Sequence, residues 1–478
     1  MRMVLFSFNV YISNQIGTEA IGVFSLIMSV YMFSITVATS GINLATTRIV
    51  VEEIAKNPEC GNKYLLRKCL KYSFTLGSIA GLLLILFSPW IAKVVIHNKV
   101  SSYLFIIIAI SLPCISMSAS INGYFSGIRK DTKNAITRIF EQFVKIIITI
   151  YFLNTFLPRN LENACLALIM GETISEIASF LFAYFLYRLE KRKYNYHAKG
   201  KNYQKQITRI AMPVAITSYI RSGLSSIKQT LIPLRLEKFG LSCQDSLSKY
   251  GLINGMAMQV LMFPEVFINS FSLLLIPEFS YYHTQNLKQR ISQTISKIFQ
   301  VTLLFAIGVI GVFWTYAEEI SIAIYNNIEV SIYIRILCPL LLFMYLDGII
   351  DSILKGLDKQ VSVMKCNILD LFISIFCIYF FVPIYGVKGY LGIIFMSELL
   401  NSGISLWQLK RETKFKIDIL EWILKPMIGV LLAKIISKMV PIYGLSENAK
   451  LIIEISIFCI IYLIYICIMK KRNCFATR

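Results

Sequence analysis

The sequence has no GxxxxGK[ST] phosphate loop, no CxxC pair and only three histidines in 478 residues. The first absence excludes nucleotide hydrolysis by the usual phosphate-cradling route. His97, His197 and His283 stand apart from cysteines and carboxylates at ligand spacing, so no metal centre and no cofactor are expected. The eleven cysteines are dispersed, with Cys114, Cys377, Cys459 and Cys467 inside apolar runs, where they read as small packing residues. Charge is scarce as well. Charged residues make up 16% of the chain against 56% hydrophobic, too little polar surface to wrap a soluble domain of this length. Nowhere do the apolar runs leave the roughly 100 residues that a soluble catalytic domain needs, so the chain is not expected to be an enzyme. The N-terminus lacks a cleavable signal with a small-residue site, as expected where the helices themselves direct insertion.

What the sequence has in abundance is apolar runs long enough for a bilayer core, which takes roughly 20 residues of helix. Counting an incomplete first run at 1–13, they fall at 21–47, 73–95, 101–127, 138–157 and 162–187. After a polar connector they resume at 207–234, 248–279, 297–324, 330–356, 361–383, 387–408, 420–440 and 449–469. The expected fold is an all-α integral membrane protein with about fourteen transmembrane helices. Lysines and arginines are about threefold more numerous in the loops after even-numbered runs, which places both termini in the cytoplasm of a multi-pass cell-membrane protein. The net charge of +21 is mostly this topological bias. Scattered over seven cytoplasmic segments, the basic residues form no single groove for nucleic acid. Membrane lipid is the expected neighbour, and the connector Arg188–Lys205, with Tyr194, Tyr196 and Tyr203, suits the anionic inner leaflet.

An internal repeat organises the chain. Residues Gly123–Glu141 align with Ser352–Asp370, matching Gly127 to Gly356 and Glu141 to Asp370 at an offset of 229 positions. The same offset carries Gly22 to Gly251, and Ser40 falls close to Ser270. Because the offset spans an even number of helices, the halves are expected to be parallel repeats about an axis along the membrane normal. The resulting division is a six-helix lobe at 1–190, a cytoplasmic linker at 191–206, a second six-helix lobe at 207–409 and two further helices in 410–478.

Ionisable residues deep in apolar runs cost energy and therefore mark cavities or partners. Arg221 and Lys228 lie two turns apart on nearly one face, and Glu265 follows Pro264. These three form the expected substrate cavity, with Asn43 and Arg48 at its cytoplasmic end; the other reading is snorkelling cations or a structural ion pair. The i,i+4 pairs Glu172 with Glu176 and Asp347 with Asp351 are candidates for coupling to a proton or monovalent cation, or for interhelical hydrogen bonds. Glu141 and Lys145 read as a structural pair. Pro113, Pro213, Pro264 and Pro277 are expected to kink their helices.

The stretch from Gly123-Tyr124-Phe125 through Gly127 to Ala135-Ile136 and Glu141-Gln142 resembles a family signature. So do Tyr11 to Gly17, Ser40-Gly41 to Ala45 with Arg48 and Glu52, Ile232-Pro233 with Arg235-Leu236, and Phe263-Pro264. Together they resemble the stage V sporulation protein B family, in the polysaccharide-exporter branch of the multidrug/oligosaccharidyl-lipid/polysaccharide (MOP) flippase superfamily. The resemblance covers essentially the whole chain. It implies a MATE-like V-shaped bundle, alternating access, and an undecaprenyl-linked saccharide as cargo, such as a lipid II-like peptidoglycan precursor in spore cortex or cell-wall biogenesis. The alternative within the superfamily is a multidrug/cation antiporter. Two departures stand out. Relatives begin with a full first helix bearing two arginines toward the cavity, whereas here Arg2 falls on the first and Asn9 replaces the second. That shortness predicts a native reading frame extending upstream of Met1. The other is Glu265, on a segment where lipid II flippases carry a basic residue.

Overall fold

The computed structural model describes residues 2–56, 63–95, 100–156, 160–191, 203–413, 415, 418–440 and 446–476. Among the described residues there is no strand. The helices are α1 (Arg2–Thr39), α2 (Ile42–Lys56), α3 (Lys63–Val95), α4 (Tyr103–Gly127), α5 (Asp131–Phe156), α6 (Leu161–Lys191), α7 (Tyr203–Lys238) and α8 (Cys243–Tyr250). They continue with α9 (Met258–Met262), α10 (Glu265–Thr284), α11 (Lys288–Tyr325), α12 (Glu329–Leu337), α13 (Leu341–Gly356), α14 (Gln360–Thr413), α15 (Lys425–Met439) and α16 (Glu447–Ala476). The outer faces are apolar: Leu82 and Leu86 on α3 and Phe376, Phe380 and Ile384 on α14 are exposed, as suits contact with lipid.

Among the described residues, eight helices are long and apolar enough to cross a membrane, or nine with a bent pair counted as one. This is fewer than the fourteen runs of the sequence, and two physical reasons account for much of the difference. Met3–Ala55 and Gln360–Thr413 are runs of 53 and 54 residues, each holding enough helix for two crossings of a bilayer core. Both break at a glycine with left-handed φ, Gly17 (φ 78°) and Gly386 (φ 57°), a conformation that side chains resist. The second reason is polarity. Long enough to span, α5 and α7 are interrupted by charged residues, Arg138, Glu141 and Lys145 in α5 and Arg209, Arg221, Lys228 and Arg235 in α7. Of the prolines expected to kink, Pro264 marks the 60° bend between Cys243–Met262 and Glu265–Thr284. Pro113, Pro213 and Pro277 lie inside α4, α7 and α10.

Contacts divide the chain into two compact units. One contains Ile16–Gly251 with Met3–Phe8, the other Leu252–Arg478 with Asn9–Gln15. Of the expected linker, residues 192–202 lie outside the described residues; α7, which follows, packs on α2 and α3 of the first unit.

In the first unit α4 is central, packed against α2, α3 and α6. Tyr124, Phe125, Ile49 and Leu66 bury their side chains in its core. Gly127 lets α4 close on α2, since a Cβ there would lie 2.8 Å from Val50 Cβ and 3.2 Å from the Thr47 carbonyl oxygen. In the second unit the same approach recurs 229 positions on, where a Cβ on Gly356 would lie 2.8 Å from both Phe279 Cβ and the Ile276 carbonyl oxygen. The turns that follow also match. Arg129 (φ 58°) and Asp358 (φ 61°) are both left-handed, and the amides of Lys130 and Lys359 each donate to a carbonyl five residues back, Phe125 and Leu354, at 2.8 Å. Paired αL turns of this kind satisfy the orphan carbonyls at a helix end. Elsewhere in the second unit α11, α15 and α16 close through glycines, Gly308 against Tyr462 and Gly429 against Tyr465.

Candidate functional site

Helix α7 carries both cations expected to line a cavity. Ser218, Arg221, Ser222 and Ser225 recur on it at three- and four-residue spacing, and so share one face. The second part of α1 runs antiparallel beside that face. Thr36 Oγ1 donates to Ser222 Oγ at 3.0 Å, the Tyr219 hydroxyl donates to the Val37 carbonyl at 3.1 Å, and Gly223 lies against Phe33. The seam closes at the turn between α1 and α2. There Gly41 (φ 76°) comes so near α7 that a Cβ would lie 2.5 Å from the Ala211 carbonyl oxygen, so both backbone angle and space require glycine.

Between these helices lies a pocket of about 420 Å³ lined by Thr36, Thr39, Ser40, Ser218, Arg221, Ser222 and Ser225. Six hydroxyls surround one guanidinium, and among the described residues no carboxylate lines the pocket. Among the described residues Arg221 forms no hydrogen bond or ion pair with protein, and it is exposed. A planar fork of five donors ringed by hydroxyls suits the oxygens of a phosphate or carboxylate, which accept hydrogen bonds from both.

The other expected cavity residues are placed differently. Lys228, half-buried, is two turns further along α7 and does not line this pocket. In the second unit Glu265 heads α10 and accepts from Asn269 Nδ2 at 3.1 Å. Asn43, in the first turn of α2, is exposed and accepts from Thr47 at 3.3 Å. Arg48 is held on its own helix by Glu52 at 2.9 Å. Arg2 opens α1, and its side chain lies outside the described residues.

Three of the four acids proposed for ion coupling, Glu172, Asp347 and Asp351, have protein partners. Gly171 brings α6 onto α5 at Thr149, and one residue on, the buried Glu172 pairs with Lys145. The expected Glu141–Lys145 pair is thus replaced by an interhelical one, because Lys145 reaches α6 while Glu141 accepts from Ser179 Oγ at 3.0 Å. Glu176, half-buried, follows one turn after Glu172. In the second unit Asp347 accepts from Asn401 at 2.8 Å, Asp351 lies 3.7 Å from Lys355, and Asp370 accepts from Ser397 at 2.7 Å.

Of the pocket, the sequence pointed to Arg221, and to Ser40 through the family resemblance, but not to Thr36, Thr39, Ser218, Ser222 or Ser225. The recurrence of serine around Arg221 was the available signal; the matching face of α1 had none.

A bundle of long apolar helices with apolar outer faces defines a class, the multi-pass membrane protein. Two solved structures share the fold: an inward-facing multidrug resistance MATE family transporter of the MOP superfamily (TM-score 0.68, 14% identity, 86% of this chain and 93% of that one) and the lipid II flippase MurJ in an inward closed conformation (TM-score 0.69, 14% identity, 98% and 99%). Residues 1–283 match the family described as Polysaccharide biosynthesis protein, and the chain belongs to that family. It is also 22% identical to stage V sporulation protein B of Bacillus subtilis (strain 168), over 98% of this chain and 92% of that protein. Of the two solved neighbours, one is a transporter and the other a flippase.

Proposed function

We propose that this protein is a flippase or exporter of an undecaprenyl-linked saccharide, such as a lipid II-like peptidoglycan precursor, working by alternating access in the cell membrane with both termini cytoplasmic. The observation that carries this reading is the Arg221 pocket: a cation among hydroxyls, without a carboxylate, suits the diphosphate of a lipid-linked sugar. It fits a cationic drug poorly, which sets the reading apart from the multidrug antiporter that the MATE likeness would also allow. Membership of a polysaccharide biosynthesis family and similarity to a sporulation protein support the saccharide and the cell-wall setting.

About fourteen crossings in two parallel six-helix repeats, followed by two C-terminal helices, form the frame of this reading. The glycine approaches and left-handed turns that recur 229 positions apart support it. So does a reciprocal contact within the first unit. A Cβ on Gly22 would lie 2.2 Å from the Leu247 carbonyl oxygen, and one on Gly251 would lie 2.2 Å from that of Thr18. The same offset relates Thr18 to Leu247 and Gly22 to Gly251, so residue i meets j' while j meets i', as expected across a two-fold.

The test is transport of a fluorescent undecaprenyl-diphosphate disaccharide by the purified protein in vesicles, with and without Arg221→Gln. Wild-type translocation lost in the variant is the expected result. Ethidium transport by the wild type, with no movement of the lipid, would establish the antiporter instead.

A further inference from the structure

A second cavity adjoins the Arg221 pocket along the same seam, and its chemistry is opposite. Because α1 and α7 are antiparallel, moving back from Thr36 toward Val30 on α1 is moving forward from Ser222 toward Leu234 on α7. Along that stretch α3 joins them, and the three helices bound a groove of about 410 Å³. Its walls include Phe33 and Val37 of α1, Leu83 and Phe87 of α3, and Ile227 and Leu231 of α7. The two cavities meet end to end. Phe33 and Val37 are within one turn of Thr36, Ser226 of the groove follows Ser225 of the pocket, and Phe33 lies over Gly223 at the junction.

We propose that this groove seats the isoprenoid chain of the same diphosphate lipid whose phosphates Arg221 holds, an inference that rests on the function proposed above. Charge complementarity at one end fixes what the other end receives. Arg221 is 12 residues from Arg209 and 14 from Arg235, the basic residues toward the two ends of α7, hence about 20 Å from either. A bilayer phospholipid keeps its phosphate at the interface and cannot reach that depth while its tails fill the groove. From Arg221 to Leu234 the groove runs about 20 Å along the helix, a length that a long isoprenoid fills and a short one does not. On the orientation assigned by the basic loops, the Leu234 end faces outward, so a lipid in this seat has its head toward the cytoplasm and its chain toward the outer leaflet. That is the polarity of a lipid arriving from the inner leaflet. Selectivity arises from packing, because the chain leaves one hydrocarbon surrounding for another.

The test measures binding of undecaprenyl diphosphate and of geranyl diphosphate to the purified full-length protein by native mass spectrometry. Leu83→Trp and Leu231→Trp, from different helices, narrow the groove without touching the pocket. Each is expected to weaken undecaprenyl diphosphate about tenfold, the loss of on the order of ten close carbon contacts, and to leave geranyl diphosphate unchanged. Arg221→Gln is expected to weaken both lipids. Unchanged undecaprenyl diphosphate binding in both tryptophan variants, with Arg221→Gln still effective, overturns the chain seat and leaves the phosphate site standing. Equal weakening of both lipids by the tryptophans overturns it too, since a chain seat must discriminate by length. Displacement by phosphatidylglycerol at equal concentration marks an ordinary annular site and also refutes the proposal. Full binding of both lipids by Arg221→Gln refutes the proposed function itself.

Discussion

Arg221 is the residue on which the functional reading turns, and its chemistry makes the outcome of substitution specific. A guanidinium offers two parallel donors to a phosphate, so Arg221→Gln should lose roughly 1.5 to 3 kcal/mol of a charged hydrogen bond, about ten- to hundredfold in cargo affinity. Arg221→Lys keeps the charge without the fork and should retain part of the activity. In vivo complementation beside membrane abundance checks both. The double change Arg221→Gln with Lys228→Gln should abolish complementation at normal abundance, whereas a purely structural role for the pair would lower protein level in step with function. Gly41 is the second decisive residue at this scale. Gly41→Val places a branched side chain at left-handed φ against the Ala211 carbonyl, so unfolding in detergent should begin at a lower temperature, with the conformational part alone about 1 to 2 kcal/mol.

At the scale of elements, α5 and α6 show how polar residues are accommodated in a membrane bundle. Gly171 brings the two helices together, and Lys145 of α5 neutralises the buried Glu172 of α6. Lys145→Met should therefore strand a buried carboxylate and destabilise by about 3 to 5 kcal/mol. The exchange Lys145→Glu with Glu172→Lys should restore much of the loss, as read by thermal unfolding of the purified variants. No restoration would mean that Lys145 acts through something other than this pair. The same two helices show what was legible in the sequence. Glu172 stood out as one of an i,i+4 pair of acids in an apolar run, but its partner did not, because the i,i+4 rule pointed Lys145 at Glu141 on its own helix. Sequence spacing ranks partners along one helix; the partner across the interface depends on which glycine lets the helices touch. Glycine 127 was legible in the same partial way. Its match to Gly356 was read from the sequence, while the contacts with Val50 and Phe279 needed three dimensions.

At the scale of the whole molecule, the prediction concerns cargo. Depleting the protein should cause one undecaprenyl-linked intermediate to accumulate in the cytoplasmic leaflet, measured by lipid extraction and mass spectrometry after selective surface labelling. An unchanged lipid pool in depleted cells would argue against transport of such a saccharide. All-helical class, membrane residence and family were readable from composition, run length and a few motifs, because a bilayer imposes roughly 20-residue apolar helices on any chain that crosses it. Two of the divisions between apolar runs, at 14–20 and 384–386, were readable as well, and each coincides with a left-handed glycine, Gly17 or Gly386, at which the helix bends. Arg221 was visible as a cation in a membrane run, because its cost there is a property of the residue and its depth. Its hydroxyl ring was decided only by the tertiary structure. Thr36, Thr39 and Ser40 lie some 180 positions away in the chain, and they meet α7 because Gly41 permits an approach that no local spacing records.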